Sequence, residues 1–295
     1  MIQGYDSQID FIVPDFPLHL DIEVTSRCNL NCEFCDKQPL LKKGQLGDIE
    51  FSLFNRIIDE AGEAGLESLG LSYRGEPLLH RDIADMVYYA KSKGVKFVFF
   101  CTNAMLLTPI ISEKLIDAGL DRIIISAQGT TAHTFEYSRL GAKFNVVLRN
   151  LDMLRNLISK KGASLEVWAQ AVALKELNEE EFKQFWMQRC DNAVVVRYRE
   201  SEKRIEGLKS SWVCPQPWSR LTVEWDGTIL PCSNNDVRSY SLGNASIISI
   251  AEAWNSEAIN KIRKYHMEGR SHEIKDCDGC PFRTVAIQNY MERKG

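Results

Sequence analysis

Six short apolar stretches recur along the first two thirds of the chain, with helical patterns between them. The stretches are LHLDIEVT (18–25), SLGLSYRG (68–75), KFVFFCTN (96–103), RIIISAQG (122–129), SLEVWAQAV (164–172) and AVVVRYRE (193–200). Strands that alternate with helices form βαβ units, whose strands run parallel. The pattern therefore predicts an α/β domain built on six parallel strands.

Residues that favour helix ends mark the segments between these strands. The predicted starts are Ser52, Thr108 followed by Pro109, and Asn178 paired with Glu181, and the predicted ends lie near Gly65 and Gly119. Serine, threonine and asparagine accept hydrogen bonds from the free N–H groups of a first turn, where proline also fits, while glycine favours the last turn.

Several strands alternate between apolar and polar positions. In the fifth, Val167 and Ala169 alternate with Glu166, Trp168 and Gln170. A closed barrel would instead fill its interior with branched aliphatic side chains. If the apolar positions pack on the helices, the polar positions line an interior that holds water or a ligand. This favours an open, partial (β/α)6 TIM-like barrel with a site inside it.

The strand–helix rhythm stops beyond residue 200. The segment ESEKRIEGLKSS has the polar character of a linker, and the remainder is punctuated by Cys, Trp and Gly. Asp226–Gly227 predicts a hairpin turn within LTVEWDGTILPC, and one helix is predicted from Ser249 to Met267. The predicted organisation is an extension over 1–17, the barrel over 18–200 and a small cysteine-rich α+β domain over 201–295.

Composition and charge exclude some classes of function. The chain has 295 residues, of which 44% are hydrophobic and 26% charged, and its net charge is -4. It therefore lacks the broad basic surface that binding to a nucleic-acid backbone requires. No apolar run approaches the roughly 20 residues of a membrane span, and the N-terminus lacks the features of a signal peptide. We expect a cytoplasmic protein that binds neither nucleic acid nor membrane.

Nine cysteines need a chemical explanation. In a reducing compartment they are more often metal ligands or catalysts than disulfides. Their grouping is Cys28, Cys32 and Cys35 near the start, Cys101 and Cys190 alone, and Cys214, Cys232, Cys277 and Cys280 in the last third. The two groups predict two metal centres.

The first group, CNLNCEFC, directly follows strand one, where the loops of a barrel build active sites. Three thiolates bind three irons of a [4Fe–4S] cluster and leave the fourth iron open, whereas four thiolates would close the cluster. A structural zinc site is the alternative, although no fourth cysteine lies nearby.

The spacing C-x3-C-x2-C after the first strand, with an aromatic residue before the third cysteine, resembles the signature of the radical S-adenosylmethionine (SAM) superfamily. YRGEP (73–77) resembles the GGEP motif of that family, CTN (101–103) resembles its TNG element, and SAQG (126–129) stands where the family contacts the ribose of SAM. The chain departs from the family pattern at Arg74 and Gln128.

The resemblance implies that SAM binds the open iron of the first cluster. The residues implied in cofactor binding are Phe34, Gly75, Glu76, Pro77, Asn103, Ser126 and Arg139, the last of which matches an arginine that pairs with the SAM carboxylate. One electron from a flavodoxin- or ferredoxin-like reductant would cleave SAM to a 5′-deoxyadenosyl radical. That radical removes a hydrogen atom from an unactivated C–H bond, and the protein supplies orientation.

The spacing of the second group, C-x17-C-x44-C-x2-C, fits a structural zinc site as well as an iron–sulfur cluster. The surrounding segments GTILPCSNND, LGNASIISIAEAWNSEAI and CDGCPF resemble the auxiliary-cluster domain of radical SAM enzymes, known as SPASM. Four ligands correspond to its shortened form, twitch. The resemblance therefore implies one auxiliary [4Fe–4S] cluster.

An auxiliary cluster accepts the electron left on a substrate radical, which makes the net reaction a two-electron oxidation. A redox-neutral epimerisation would instead need a thiol as hydrogen-atom donor. Cys101 shares a strand parity with Asn103 and is the candidate for that role, although a free cysteine is usually a small apolar side chain.

Two arginines on strand six, Arg197 and Arg199, have two interpretations. They bind an anionic or polyhydroxylated substrate, or they form ion pairs with Glu23 or Glu166. The five histidines have no metal-ligand spacing and are expected to be structural or exposed.

These features favour an oxidoreductase that acts on a small polar molecule such as a sugar or aminocyclitol. Only 17 residues precede strand one, whereas peptide-modifying relatives often carry an N-terminal domain that binds a leader peptide. Three alternatives are a modifier of a ribosomally made peptide, a sugar epimerase, and a non-catalytic iron–sulfur or zinc protein.

Overall fold

The computed structural model describes residues 11–32, 34–35, 46–174, 177–197, 205–233 and 240–292. Six strands alternate with helices: β1 (His19–Ile22), β2 (Ser68–Gly70), β3 (Phe97–Thr102), β4 (Arg122–Ser126), β5 (Glu166–Ala173) and β6 (Asn192–Arg197). Their order in the sheet is β6-β5-β4-β3-β2-β1. From β2 to β6 each strand pairs in parallel with the next. The predicted α/β fold on parallel strands is confirmed.

Two of the six helices that the structure describes between these strands begin where capping residues predict. They are α1 (Phe51–Glu63), α2 (Ile83–Ser92), α3 (Pro109–Asp117), α4 (Ala132–Tyr137), α5 (Phe144–Lys161) and α6 (Glu179–Trp186). Thr108 Oγ1 accepts the N–H of Ile111 at 3.4 Å. Asn178 Oδ1 accepts the N–H of Glu181 at 3.2 Å. The predicted starts of α3 and α6 are confirmed.

The predicted helix cap at Ser52 is wrong. α1 begins at Phe51, after Glu50 in an extended conformation, so that Ser52 lies inside the first turn. The backbone N–H of Ile49 bonds the carbonyl of Val24 at 2.9 Å, which fixes the chain direction just before the helix. This long-range backbone pairing sets the helix start, and the local capping preference does not.

The second predicted strand, 68–75, is longer than the strand in the structure. β2 ends at Gly70, and Leu71 still donates to the carbonyl of Phe99 at 2.8 Å. Arg74 lies beyond the ladder, in the turn that follows. The first strand is shorter in the same way and ends at Ile22.

Alternation along β5 separates two faces of the sheet. Val167, Ala169 and Ala171 are buried, while Glu166, Trp168 and Gln170 are only half-buried. In a βαβ unit the helices cover one face of the strands. The fully buried positions therefore face the helices, and the half-buried positions face the open interior.

The last third of the chain contains β7 (Arg220–Val223), β8 (Thr228–Leu230), β9 (Gly243–Asn244), α7 (Ile250–Trp254), α8 (Glu257–Met267) and α9 (Pro281–Glu292). β7 and β8 pair antiparallel. Gly227, in the connection between them, has a φ of +85°, which favours glycine. The predicted hairpin is confirmed.

The single helix predicted from Ser249 to Met267 is wrong, because α7 and α8 are separate. Ser249 caps α7 in a reciprocal pair of hydrogen bonds with Glu252. Ser256 then accepts the N–H of Ile259 at 3.4 Å and starts α8 as a new cap. A serine that caps a helix offers the backbone an alternative to continuing the preceding one.

The chain forms two compact units. One contains the described residues of 22–198 and 224–226, and the other those of 1–21, 199–223 and 227–295. Across the described residues, no helix combines the length and the apolar character that crossing a membrane requires.

Candidate functional site

The first cysteine group lies on the loop that follows β1, and the start of this loop is tied to residues 47–48. The N–H of Ser26 donates to the carbonyl of Gly47 at 3.0 Å. Thr25 Oγ1 donates to Asp48 Oδ1 at 2.6 Å, and Arg27 forms an ion pair with Asp48 at 3.1 Å. The loop therefore leaves β1 from a fixed position.

Gly75 packs backbone to backbone against this segment. A Cβ atom on Gly75 would lie 2.0 Å from the carbonyl oxygen of Thr25 and 2.7 Å from that of Arg27. The next residue, Glu76, donates its N–H to the carbonyl of Arg27 at 2.7 Å. Only glycine allows the two backbones to come this close. The segment 75–77 and the cysteine loop therefore hold each other in position.

Glu76 connects the ends of β2 and β3. Its buried carboxylate accepts Thr102 Oγ1 at 2.5 Å, the N–H of Asn103 at 2.7 Å and the N–H of Leu78 at 3.1 Å. Burial raises the pKa of Glu76, and the bonds from Asn103, Thr102 and Leu78 oppose that rise. The carboxylate thus holds together the two motif-bearing loops, and Pro77 begins the short helical turn that follows.

The side chain of Asn103 contacts the cysteine loop directly. Its Nδ2 donates to Asn29 Oδ1 at 2.8 Å and lies 4.0 Å from Cys28 Sγ. Its Oδ1 accepts the N–H of Met105 at 3.0 Å. Asn103 therefore positions the loop that carries Cys28.

Ala104 has the left-handed backbone conformation that usually requires glycine. Its φ is +60°, and no other non-glycine residue in the described part of the chain has a positive φ. It is fully buried, and its carbonyl accepts Asn150 Nδ2 at 2.8 Å. In the TNG element a glycine follows the asparagine, whereas here Ala104 follows Asn103, so the alanine adds backbone strain.

Replacing Ala104 with glycine should stabilise the protein by about 0.5–1 kcal/mol. Removal of Cβ relieves a left-handed strain of about 1–2 kcal/mol, and part of this is lost to the greater entropy of an unfolded glycine. Urea unfolding of the anaerobic protein measures the change. Ala118→Gly is the matched control, because Ala118 is also buried but has an ordinary φ of -71°. A loss of stability in Ala104→Gly as large as in the control would show that no strain is relieved.

Arg139 is a buried cation beside the three thiols of the first group. It is 7% exposed, and its guanidinium lies 5.5 Å from the centre of the Phe34 ring. Burial lowers the pKa of Arg139, and the charges of Cys32, Cys35 and Cys28 oppose this. Its Nε is buried without a hydrogen-bond partner. A buried cation with a free donor is costly unless an anion compensates it, so this site fits a thiolate-bound cluster and a ligand carboxylate.

Two residues on β4 and its extension have different roles. Ser126 ends β4, half-buried, next to Gln170 in the register of β5. Gln128, where the family pattern has an acidic residue, donates to the carbonyl of Val172 at 2.8 Å and accepts its N–H at 3.2 Å. Gln128 is therefore occupied in joining two strand ends, while Ser126 faces the interior.

Among the isolated cysteines, Cys101 and Cys190 differ in environment. Cys101 lies on the half-buried face of β3, and its N–H donates to Ser72 Oγ at 3.0 Å. Cys190 is buried, and burial raises the pKa of its thiol to about 12. Of these two, only Cys101 is placed to reach the interior.

The substrate-binding role predicted for two arginines of strand six stays a prediction. Arg197 is the last residue of β6, but its side chain and all of Arg199 lie outside the described residues. Glu166, a predicted ion-pair partner, instead pairs with Arg122 at 2.6 Å. That guanidinium also lies 3.7 Å from the centre of the Trp168 ring.

The second group of cysteines lines a single pocket. Its walls include Cys214, Cys232, Cys277 and Cys280 together with His266 and Arg283. Burial raises the pKa of the Cys214 thiol, and the other three cysteines add to the rise. Without a metal, buried neighbouring thiols resist ionisation, whereas a bound metal deprotonates its thiol ligands outright. The pocket therefore fits a metal centre with four thiolates.

Among the described residues, no three His, Cys, Asp or Glu side chains come together in an arrangement that holds one metal ion. Each cysteine of a [4Fe–4S] cluster binds a different iron, so its thiolates surround a larger body than a zinc ion. The four cysteines that line the pocket provide the four thiolates that such a cluster needs.

Two residues around this pocket could not be found from the sequence. His266 lies on α8 and contacts Cys214, 52 residues earlier, and Arg283 lies on α9. Burial, with the charge of Arg283, lowers the pKa of His266 to about 4. Neither residue belongs to a local motif, because only the tertiary fold brings them to the cysteines.

Comparison with known proteins finds a matching family for each of the two parts of the chain that contain the cysteine groups. Residues 22–185 match the Radical SAM superfamily, and residues 214–281 match SPASM, an iron–sulfur cluster-binding domain. One relative is the tungsten-containing aldehyde ferredoxin oxidoreductase cofactor-modifying protein of Pyrococcus furiosus, 26% identical over 90% of this chain and 89% of that protein.

Two solved structures share the fold. BtrN in complex with AdoMet and 2-DOIA has a TM-score of 0.59 at 17% identity, over 89% of this chain and 91% of that one. Streptococcus suis SuiB bound to the precursor peptide SuiA has a TM-score of 0.69 at 17% identity, over 92% and 71%. The superfamily match covers more than half of the chain. This protein is therefore a member of the radical SAM superfamily, with a C-terminal SPASM iron–sulfur cluster-binding domain.

Proposed function

We propose that Cys28, Cys32 and Cys35 hold the [4Fe–4S] cluster that binds SAM, and that four further cysteines hold one auxiliary cluster. Those four are Cys214, Cys232, Cys277 and Cys280. The residues proposed to contact or position SAM are Phe34, Gly75, Glu76, Pro77, Asn103, Ser126 and Arg139. The buried Arg139, with its free Nε beside three thiols, supports the first assignment. The shared pocket supports the second.

Each part of the first site has a distinct task in this proposal. Gly75 and Glu76 fix the loop geometry, Arg139 compensates negative charge, and Ser126 offers a hydrogen-bonding group on the interior face. When bound, the cluster and SAM supply a 5′-deoxyadenosyl radical, while the chain orients the substrate and excludes side reactions.

The reaction proposed is the two-electron oxidation of a small polar molecule, such as an alcohol to a ketone. The observation that carries this is the half-buried interior face of β5, where Gln170 lies beside Ser126, the last residue of β4, in register. Such groups offer hydrogen bonds to hydroxyl or amino substituents. Cys101 and Arg197, at the ends of β3 and β6, are the further candidates for substrate contact.

The oxidation balances with one electron entering and one leaving. The substrate carbon would lose a hydrogen atom to the group that SAM supplies, which would leave as 5′-deoxyadenosine. The substrate hydroxyl would lose a proton to solvent, and the auxiliary cluster that Cys214, Cys232, Cys277 and Cys280 would hold would accept the remaining electron. A ferredoxin- or flavodoxin-like protein supplies the electron that cleaves SAM.

Fractionated host extract tests the substrate class. The anaerobic, fully loaded protein receives SAM, dithionite and either the small-molecule or the peptide fraction. The proposal expects the small-molecule fraction to stimulate 5′-deoxyadenosine formation. Stimulation by the peptide fraction alone would contradict it and favour a peptide modifier.

A Cys101→Ala variant separates oxidation from epimerisation. An oxidation needs no thiol donor, so 5′-deoxyadenosine and oxidised product should form at unchanged ratio. An epimerase would lose its product in this variant, because Cys101 would be the hydrogen-atom donor.

A further inference from the structure

His266 bridges two of the four cysteines in the SPASM domain. Its side chain is 1% exposed, on α8. The Nδ1 atom lies 3.4 Å from the backbone nitrogen of Cys214, and the Nε2 atom lies 3.5 Å from Cys277 Sγ. The edge-to-face contact with Trp218, at 6.3 Å between ring centres, fixes the plane of the imidazole.

These two contacts determine which nitrogen of His266 carries the proton. A backbone N–H is always a donor, so the Nδ1 that faces Cys214 is an acceptor and has no proton. A neutral imidazole then carries its proton on Nε2. The Nε2–H group is therefore directed at Cys277 Sγ, within the distance of a hydrogen bond to sulfur.

Arg283 supplies a positive charge to the same cysteines. It is 1% exposed, its Nε donates to Ser271 Oγ at 2.8 Å, and its Nη2 donates to the carbonyl of Leu208. Its Nη1 is buried without a hydrogen-bond partner, and its charge acts on Cys277 and Cys280. The arginine is thus anchored by two bonds, and its remaining donor is left for a ligand or a sulfur.

We propose that His266 is a positioning residue that sets the reduction potential of the auxiliary cluster, through an Nε2–H hydrogen bond to Cys277 Sγ, with support from the buried charge of Arg283. The inference rests on the proposed role of Cys277 as a cluster ligand. Hydrogen bonds and positive charge at a ligand sulfur stabilise the reduced, more negative cluster, so they raise its potential.

The test uses the full chain with Cys28, Cys32 and Cys35 replaced by alanine, so that only the auxiliary cluster contributes signal. In a redox titration followed by electron paramagnetic resonance, His266→Phe should lower the reduced-to-oxidised ratio at a given potential about tenfold. For a one-electron couple this corresponds to about 59 mV. His266→Gln keeps an N–H donor in a similar place and should restore most of the potential.

His133→Phe is the matched control. His133 is exposed on α4, in the other compact unit, and the auxiliary potential should not change. A second measurement is made on protein that keeps His266, because the His266→Phe variant could lose its cluster. Pulsed resonance on protein with 15N-labelled histidine should detect a histidine nitrogen and an exchangeable deuteron coupled to the reduced cluster.

The outcomes separate this inference from the proposed function. If the chain without the first three cysteines binds no iron, the ligand assignment fails and the inference fails with it. If the chain binds its iron but shows neither the nitrogen coupling nor a potential shift in His266→Phe, the ligand assignment stands and the role of His266 is wrong.

Discussion

Replacing Gly75 with alanine should reduce 5′-deoxyadenosine formation about a hundredfold. The added Cβ would lie 2.0 Å from the carbonyl oxygen of Thr25, and the atoms it meets belong to backbone. Neither partner can move by a rotamer change, so the loop that precedes Cys28 must shift. A displacement of about 1 Å at a reacting site costs on the order of a hundredfold in rate. Extra volume in a packed site also costs about 1–3 kcal/mol of stability.

Gly65→Ala is the matched control for this prediction. Gly65 has a positive φ, +71°, which Gly75 does not have, and its added Cβ would meet nothing within 4 Å. The control should lose about 1–2 kcal/mol of stability from left-handed strain and keep its activity. Radical formation and thermal unfolding are measured on both variants at equal iron content. Equal activity in the two variants would show that the contact between Gly75 and the cysteine loop does not position the site.

A variant in which Cys28, Cys32 and Cys35 are all replaced by alanine should form no 5′-deoxyadenosine. It should keep about half of the iron, because a [4Fe–4S] cluster held by the four other cysteines remains. The auxiliary group lies in the other compact unit, so its pocket is unchanged. Iron and sulfide analysis, with the visible spectrum, measures the retained cluster.

Cys190→Ala is the control for this second prediction. Cys190 is buried, and burial raises the pKa of its thiol to about 12, as expected of an apolar side chain. Iron content and 5′-deoxyadenosine formation should both equal those of the unmodified protein. Complete loss of iron from the triple variant would contradict the claim that the protein holds two independent clusters. Residual 5′-deoxyadenosine formation in that variant would contradict the assignment of Cys28, Cys32 and Cys35 to the first cluster.

Features that depend on neighbouring residues could be predicted from the sequence. The three cysteines of the first loop lie within eight residues, and Thr108 and Asn178 cap their helices through contacts three residues away. The alternation along β5 follows from the two faces of a strand. Short-range geometry determines each of these.

Features that depend on distant partners could not be predicted. The start of α1 is set by the bond between Ile49 and Val24 and not by Ser52. His266 reaches Cys214 only after the SPASM domain has folded. Gln128, which departs from the family pattern, bonds Val172 on the neighbouring strand extension through both of its polar atoms. A single sequence contains no local signal for such pairs.

The most direct test of the central claim is anaerobic SAM cleavage by the unmodified protein. After reconstitution with iron and sulfide, the protein is incubated with SAM and dithionite, and 5′-deoxyadenosine is quantified against iron content. The account predicts its formation, and loss of that formation in the variant without Cys28, Cys32 and Cys35. Protein with full iron content that forms no 5′-deoxyadenosine, with or without host extract, would contradict it.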